Sequence, residues 1–302
     1  MHENRFVSDA FAALPLNTAV VCHDAGAANV IVAGLRQTSR HDWRACMHGP
    51  AALVWERAFG SSAPFLTPKE ALFGAQSLLS GTGWASDLEH NARVLALKAE
   101  ISSAALLDHW VNYPMRFERA GEIVLPDEIW VTDGYALDSA RQCFPDRLLR
   151  TVDNWYMRGQ LSEISTVCDE VEPELLYLAE PARSDWGRGI QGDFQALEYF
   201  VSKLPQLGLP QGLRIRLRPH PSDVPGKYDA WMRAHSQLPL VLDSSPSIAI
   251  ALARAKWVAG CESFGLTLAL AAGRQVFCTL PPWAPRCRLP QTGLIHLAAL
   301  DG

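Results

Sequence analysis

The chain has no surplus of positive charge: 27 lysines and arginines stand against 32 aspartates and glutamates, a net charge of -5 with a pI near 6.0. That disfavours a global pull toward nucleic acid or an anionic membrane, and no nucleic-acid partner is expected, although a local basic pocket remains open. Any C-x-x-C pair is missing too. The seven cysteines, Cys22, Cys46, Cys143, Cys168, Cys261, Cys278 and Cys287, are scattered and odd in number. This argues against a zinc ribbon or a disulfide framework and reads as reduced thiols in a cytoplasmic protein. The most apolar later stretch, Ile248 to Gly260, is interrupted by Arg254 and Lys256, so no transmembrane segment is expected. The start, Met1-His2-Glu3-Asn4-Arg5, lacks the basic and apolar parts of a signal peptide. Peripheral membrane association stays open. No tandem repeat or low-complexity tract is present.

With 302 residues, 48% of them hydrophobic, the chain can bury one large core or, better, two of about 150 residues. Strand-like runs at Thr18 to Cys22, Ala45 to His48, Gln76 to Ser80, Ser103 to Leu107 and Glu128 to Thr132 alternate with helical patterns, such as Asp87 to Ala99. Periodicity fades between about Asp153 and Pro173. A second alternating set follows, with strands at Leu175 to Ala179, Leu213 to Leu217, Leu238 to Leu242, Lys256 to Ala259 and Gln275 to Thr279. Helices are expected at Asp193 to Leu204, Tyr228 to His235, Ser247 to Ala253 and Leu266 to Ala272. Strands alternating with helices imply parallel sheets, hence two doubly wound Rossmann-like domains, residues 1–155 and 156–302.

In such sheets ligands gather beyond the carboxyl ends of the strands, which directs attention to the loops there. Arg214-Ile215-Arg216-Leu217-Arg218-Pro219-His220-Pro221-Ser222-Asp223 is an alternating strand that ends in a histidine held between two prolines. Each proline restricts the residue before it, so Arg218 and His220 are aimed, and the three arginines lie on one side of the strand as if facing an anion. Ala179-Glu180-Pro181-Ala182-Arg183 follows the preceding strand. Cys261-Glu262-Ser263 leads into a helix whose N-terminus suits a phosphate, and Ser244 and Ser245 offer further hydroxyls. In the first half, His23-Asp24-Ala25-Gly26 places a carboxylate and a close-approach glycine after the first strand; Asp24 fits a helix cap as well as a base. Thr82 lies in a small, hydroxyl-rich loop, and Asp108, Asn112 and Tyr113 combine polar groups with aromatics in a way that suits a carbohydrate.

Taken together, the acid-x-Gly loop, the Arg-Pro-His-Pro run and the Gly-x-x-Ser leading into a helix that ends Ala271-Ala272-Gly273-Arg274 resemble the GT-B glycosyltransferases. In motif order the chain looks most like the bacterial sialyltransferase, polysialyltransferase and Kdo-transferase groups. The resemblance implies two domains facing a cleft, the first taking a carbohydrate or glycoconjugate acceptor and the second a nucleotide-activated sugar donor. It implies transfer of an acidic sugar from a CMP-activated donor in surface-glycan synthesis. Asp24 would be the base, and His220 the partner or acid for the leaving phosphate. Gly26, Glu180, Arg183, Arg218, Ser244, Ser245 and Ser263 would stand on the donor side, with Thr82, Asp108, Asn112 and Tyr113 on the acceptor side. No D-x-D motif occurs, so a metal-independent reaction without a cofactor is expected. Leu268 stands where many UDP-sugar enzymes carry a ribose-holding glutamate. The competing expectations are a UDP-sugar 2-epimerase or hydrolase on the same scaffold, and a non-catalytic nucleotide-sugar-binding or scaffold protein.

Overall fold

The computed structural model describes residues 9–60, 64–164, 174–181 and 184–301, and the chain divides into two compact units, Met1–Met157 and Arg158–Gly302. The first contains β1 (Thr18–Cys22), α1 (Ala25–Leu35), β2 (Arg44–Met47), α2 (Gly49–Phe59), α3 (Pro68–Leu72), β3 (Ser77–Ser80), α4 (Leu88–Lys98) and β4 (Ser102–Leu106). A short hairpin of β5 (Glu118–Arg119) and β6 (Glu122–Ile123) precedes β7 (Glu128–Val131), α5 (Gly134–Cys143) and β8 (Leu148–Thr151). Helix α6 (Trp155–Glu163) runs across the division.

Six strands form a parallel sheet in the order β2-β1-β3-β4-β7-β8. Both faces are buried, which explains why β1 after Thr18 is a continuous apolar run rather than an alternating one. Val20 and Cys22 point to the face packed by α1 and α2, beside Leu79, Leu106 and Trp130. Ala19 and Val21 point to the opposite face with Cys46, Leu78 and the α4 residues Leu88, Ala92 and Ala96.

The second unit contains β9 (Glu174–Leu178), α7 (Gly192–Lys203), β10 (Ile215–Arg218), α8 (Asp229–Ala234), β11 (Leu240–Leu242), α9 (Ile248–Ala253), β12 (Ala255–Gly260), α10 (Phe264–Ala271), β13 (Gln275–Cys278) and β14 (Leu294–His296). Its parallel sheet has the order β11-β10-β9-β12-β13-β14. On one face Tyr177, Leu217, Ala259 and Phe277 pack against Leu197 and Phe200 of α7 and Trp231 of α8. No helix among the described residues is long and apolar enough to cross a membrane.

Strand order locates a crevice in each sheet. Successive strands add on one side of the first strand and then on the other, so the loops on either side of the reversal part and leave room for a ligand. In the first unit the reversal lies between β1 and β3; in the second it lies between β9 and β12.

Candidate functional site

At the first reversal, β1 ends in His23 and Asp24. Asp24 occupies the N-cap position of α1 yet makes no capping hydrogen bond; its Oδ1 lies 2.9 Å from His23 Nδ1 instead. By contrast, Asp133 at the start of α5 caps its helix by accepting from Ala136 N–H at 2.7 Å. The Asp24 carboxylate is thus turned away from its helix. Gly83, after β3, passes so close that a Cβ there would stand 2.6 Å from Asp24 Cγ. Gly26 is packed as tightly against the Asp108 carboxylate from the end of β4. Asp24, Gly26 and Asp108 are therefore brought together, and glycines are required because a side chain would displace the acids.

Glu89, in the first turn of α4, joins this group although the sequence did not mark it. It is fully buried, its Oε1 accepts from His23 N–H at 2.8 Å, and its Oε2 is buried without a hydrogen-bond partner among the described residues. Burial raises its pKa, only partly offset by the His23 N–H and its own backbone, and the Asp24 charge adds to the rise. Asp108 Oδ1 accepts from buried Arg116 Nη1 at 3.1 Å. Arg93, also buried, donates to Gly81 O and Ser80 Oγ under the same loop. The edge therefore holds one buried carboxyl whose pKa burial raises, beside two acids with cationic or imidazole neighbours.

Two acceptor-side expectations are corrected here. Thr82 is completely buried with its hydroxyl donating to Leu106 O at 3.0 Å, and Tyr113 is 2% exposed, so neither offers a surface to a sugar. Asn112 adopts φ +60 in the loop after β4 and is half-buried.

At the second reversal, Glu180 follows β9 and its Oε1 accepts from the backbone N–H groups of Cys261 (3.1 Å) and Glu262 (2.8 Å). The Ser263 side chain also hydrogen-bonds it. Ser263 holds the N-cap position of α10 without capping it, so its hydroxyl is turned to Glu180 instead of to its own helix. Burial pushes the Glu180 carboxyl up to about 7 against the opposing pull of those donors. A phosphate at this helix start has to compete with Glu180 for the same N–H groups. A cavity of about 350 Å³ opens beside it, lined by Glu180, Pro181, Ser184, Trp186, Cys261, Glu262, Leu280, Pro285 and Arg288. Arg288 pairs with Glu262. Leu268 is fully buried in α10, and that position gives no carboxylate to a ribose.

The arginine face of β10 looks inward to the protein's own acids, which corrects its reading as an open anion site. Arg216 is 3% exposed and sits between Glu174 (2.6 Å) and Asp243 (2.5 Å). Arg218 pairs with Asp243 at 2.5 Å and donates to Ser245 O at 2.9 Å, while Ser245 Oγ donates to Asp243. Arg218 and Ser245 are thus locked to each other, and Ser244 beside them is exposed. His220 lies exposed past the strand end; its Nδ1 accepts from Ser222 N–H at 3.2 Å, which leaves the proton of a neutral ring on Nε2. Desolvation lowers its pKa, with Asp223 opposing and Lys227 adding. Lys227 itself is anchored by Asp193 and Asp223 at 2.5 and 2.7 Å. Arg183 lies outside the described residues.

No family model matches the chain, and no curated protein matches it. Solved structures do. UDP-GlcNAc 2-epimerase from Neisseria meningitidis bound to UDP-GlcNAc aligns over 86% of this chain and 82% of its own, with TM-score 0.57 and 11% identity. The UDP-GlcNAc 2-epimerase from Methanocaldococcus jannaschii covers 86% and 83%, with TM-score 0.56 and 10% identity. The glycotransferase of kitacinnamycin covers 94% and 86%, with TM-score 0.51 and 13% identity. The chain therefore has the α/β fold with two parallel-sheet domains that GT-B-like enzymes share. Kinship with sialyl- and Kdo-transferases finds no counterpart in this set. The expectation of a CMP-sugar glycosyltransferase is corrected by it: UDP-GlcNAc 2-epimerases recur among the similar structures.

Proposed function

We propose that the chain is an enzyme acting on a UDP-activated hexosamine, as a 2-epimerase or the related hydrolase. The observation that carries this reading is the group of Asp24, Glu89 and Asp108 at the β1/β3 reversal, three acids converging on one sheet edge, with Glu89 fully buried and its Oε2 without a hydrogen-bond partner among the described residues. Transfer to an acceptor hydroxyl calls for one base. Inversion beside the anomeric carbon calls for two proton-carrying groups, because the proton leaves C2 from one face and returns on the other. No carbonyl acidifies C2, so its proton departs as the C1–O bond breaks and that bond's electron pair passes to the diphosphate, leaving a C1–C2 double bond. Return of the diphosphate oxygen to C1 and of a proton to C2 completes inversion; water adding at C1 gives hydrolysis.

In this reading Asp24, oriented by His23, takes the proton, Glu89 supplies one, and Asp108 with Asn112 holds the sugar. Within the second unit taken by itself, the exposed Ser244 and the Nε2–H of His220 are donors of the kind a phosphate takes. A test is incubation with UDP-GlcNAc in D2O, followed by NMR. Deuterium at C2 of the recovered UDP-sugar or released hexosamine is expected, and Glu89→Gln should lower the rate about 10²–10⁴-fold while UDP still raises the melting temperature. UDP-GlcNAc returned without exchange from UDP-binding protein overturns the catalytic reading in favour of a simple nucleotide-sugar binder.

A further inference from the structure

We propose that Cys278, Cys287 and His296 form a binding site for a soft divalent cation of the zinc class. This goes beyond the nucleotide-sugar reading and does not rest on it. Cys278 and His296 are the last residues of the neighbouring parallel strands β13 and β14 and are paired in register. Cys287 comes from the connection between those strands. One ligand atom from each lies within 4.8 Å of the other two. Four ligands around tetrahedral zinc, with Zn–S about 2.3 Å and Zn–N about 2.0–2.1 Å, stand roughly 3.4–3.8 Å apart, so the three need to close by no more than about 1 Å. Thiolate and imidazole are the donors that zinc selects over magnesium or calcium.

The surroundings favour occupation. Cys278 is buried, Cys287 half-buried and His296 exposed, so the group has an anchored floor and an open side for entry. Cys278 Sγ now donates to Cys261 O at 3.2 Å, a weak bond that a metal replaces on taking the thiolate. The connection from Thr279 to Gly293 contains no helix or strand and carries Pro281, Pro282, Pro285 and Pro290. A segment of that length without secondary structure is uncommon unless something ties it, and a cation would fasten its middle to both flanking strands. Leu280, Pro285 and Arg288 of the same connection line the cavity beside Glu180, so the cation would stiffen that wall. Three protein ligands leave one tetrahedral position for water or a ligand atom. The expectation of scattered, unligated thiols came from sequence spacing, which does not reveal that two strand ends and a loop converge.

The test uses the full chain, reduced and stripped with chelator, titrated with Co(II). One equivalent should bind with a thiolate-to-cobalt charge-transfer band in the near ultraviolet and the intense visible bands of a tetrahedral site, and zinc should displace it. Cys287→Ser and His296→Gln avoid the buried position and should each weaken binding roughly 10–100-fold or more, since even a residue behind a ligand costs that much. Cys143→Ser, an exposed thiol elsewhere, should leave the spectrum unchanged. No charge-transfer band in the reduced protein, or a cobalt titration unshifted and undiminished in Cys287→Ser, overturns the site; binding untouched by His296→Gln overturns the three-ligand assignment. A reduced chain that takes no cobalt but readily forms a Cys278–Cys287 disulfide identifies a redox pair and likewise overturns it.

Discussion

Replacing Glu180 by glutamine should flatten one part of the protein's pH–stability curve. In the folded chain burial pushes this carboxyl up to about 7, from an ordinary value of 4.5. Between those values the native state holds a proton that the unfolded chain has released, so stability falls as pH rises through the window. The stabilising contribution is complete below the unfolded pKa and lost above the folded one. A difference of 7 minus 4.5 at about 1.36 kcal/mol per unit amounts to about 3 kcal/mol. For a unit of this size that corresponds to roughly 6–12 °C in melting temperature. Glutamine keeps the shape, and its amide oxygen accepts from Cys261 and Glu262 N–H as the carboxylate does, but it never ionises. The assay is thermal denaturation of both proteins from pH 4.5 to 8, read as the difference between their melting temperatures at each pH. Glu180→Gln should gain on the wild type as pH rises, reaching its full advantage above pH 7. Parallel curves across the window would refute the account of Glu180 as a desolvated acid.

Gly83→Ala places a methyl group against the Asp24 carboxylate and should lower turnover about 10²-fold, the cost of a shift of about 1 Å in a reacting group; UDP affinity, measured by calorimetry, should hardly change, and an equal loss of both would reject the division of roles. Arg216→Met removes the buried cation between Glu174 and Asp243 but leaves Glu174 the half-exposed Arg214 and Arg254 and leaves Asp243 to Arg218, so urea unfolding should show a loss of about 1–3 kcal/mol; a neutral result would mean that the remaining arginines fully satisfy both acids.

Much of the architecture was legible because parallel strands buried on both faces leave short apolar runs. The run Thr18 to Cys22 is β1, and the helical pattern from Asp87 to Ala99 contains α4. The edge strands β8 and β14 escaped notice, since short, partly exposed segments carry little hydrophobic signal. Asp24, Gly26 and Asp108, which the structure places together, could be singled out because glycine and acid follow strand ends in sequence; whether they act on a ligand is a separate question for the exchange experiment. Glu89 could not, because the period of α4 put Leu88, Ala92, Leu95 and Ala99 on the core side and made an acid beside them look solvated. Yet Glu89 and Arg93 are buried as well, a face wider than its apolar residues mark. The arginines of β10 misled for a related reason: the acids that neutralise them arrive from the flanking segments at β9 and β11, and no local pattern brings Glu174 and Asp243 to Arg216.

Each sheet is built of strands from one uninterrupted stretch of chain, and among the described residues none is exchanged between the two. Backbone hydrogen bonding in the first half is therefore closed before the second half has left the ribosome, and the two cores can assemble in succession. Damage has correspondingly local effects: a cavity in the core around Phe11 and Ile31 should lower one unfolding transition and leave the other standing. Such a variant would persist as a half-folded protein with one sheet still intact, a species that a single denaturation midpoint would conceal.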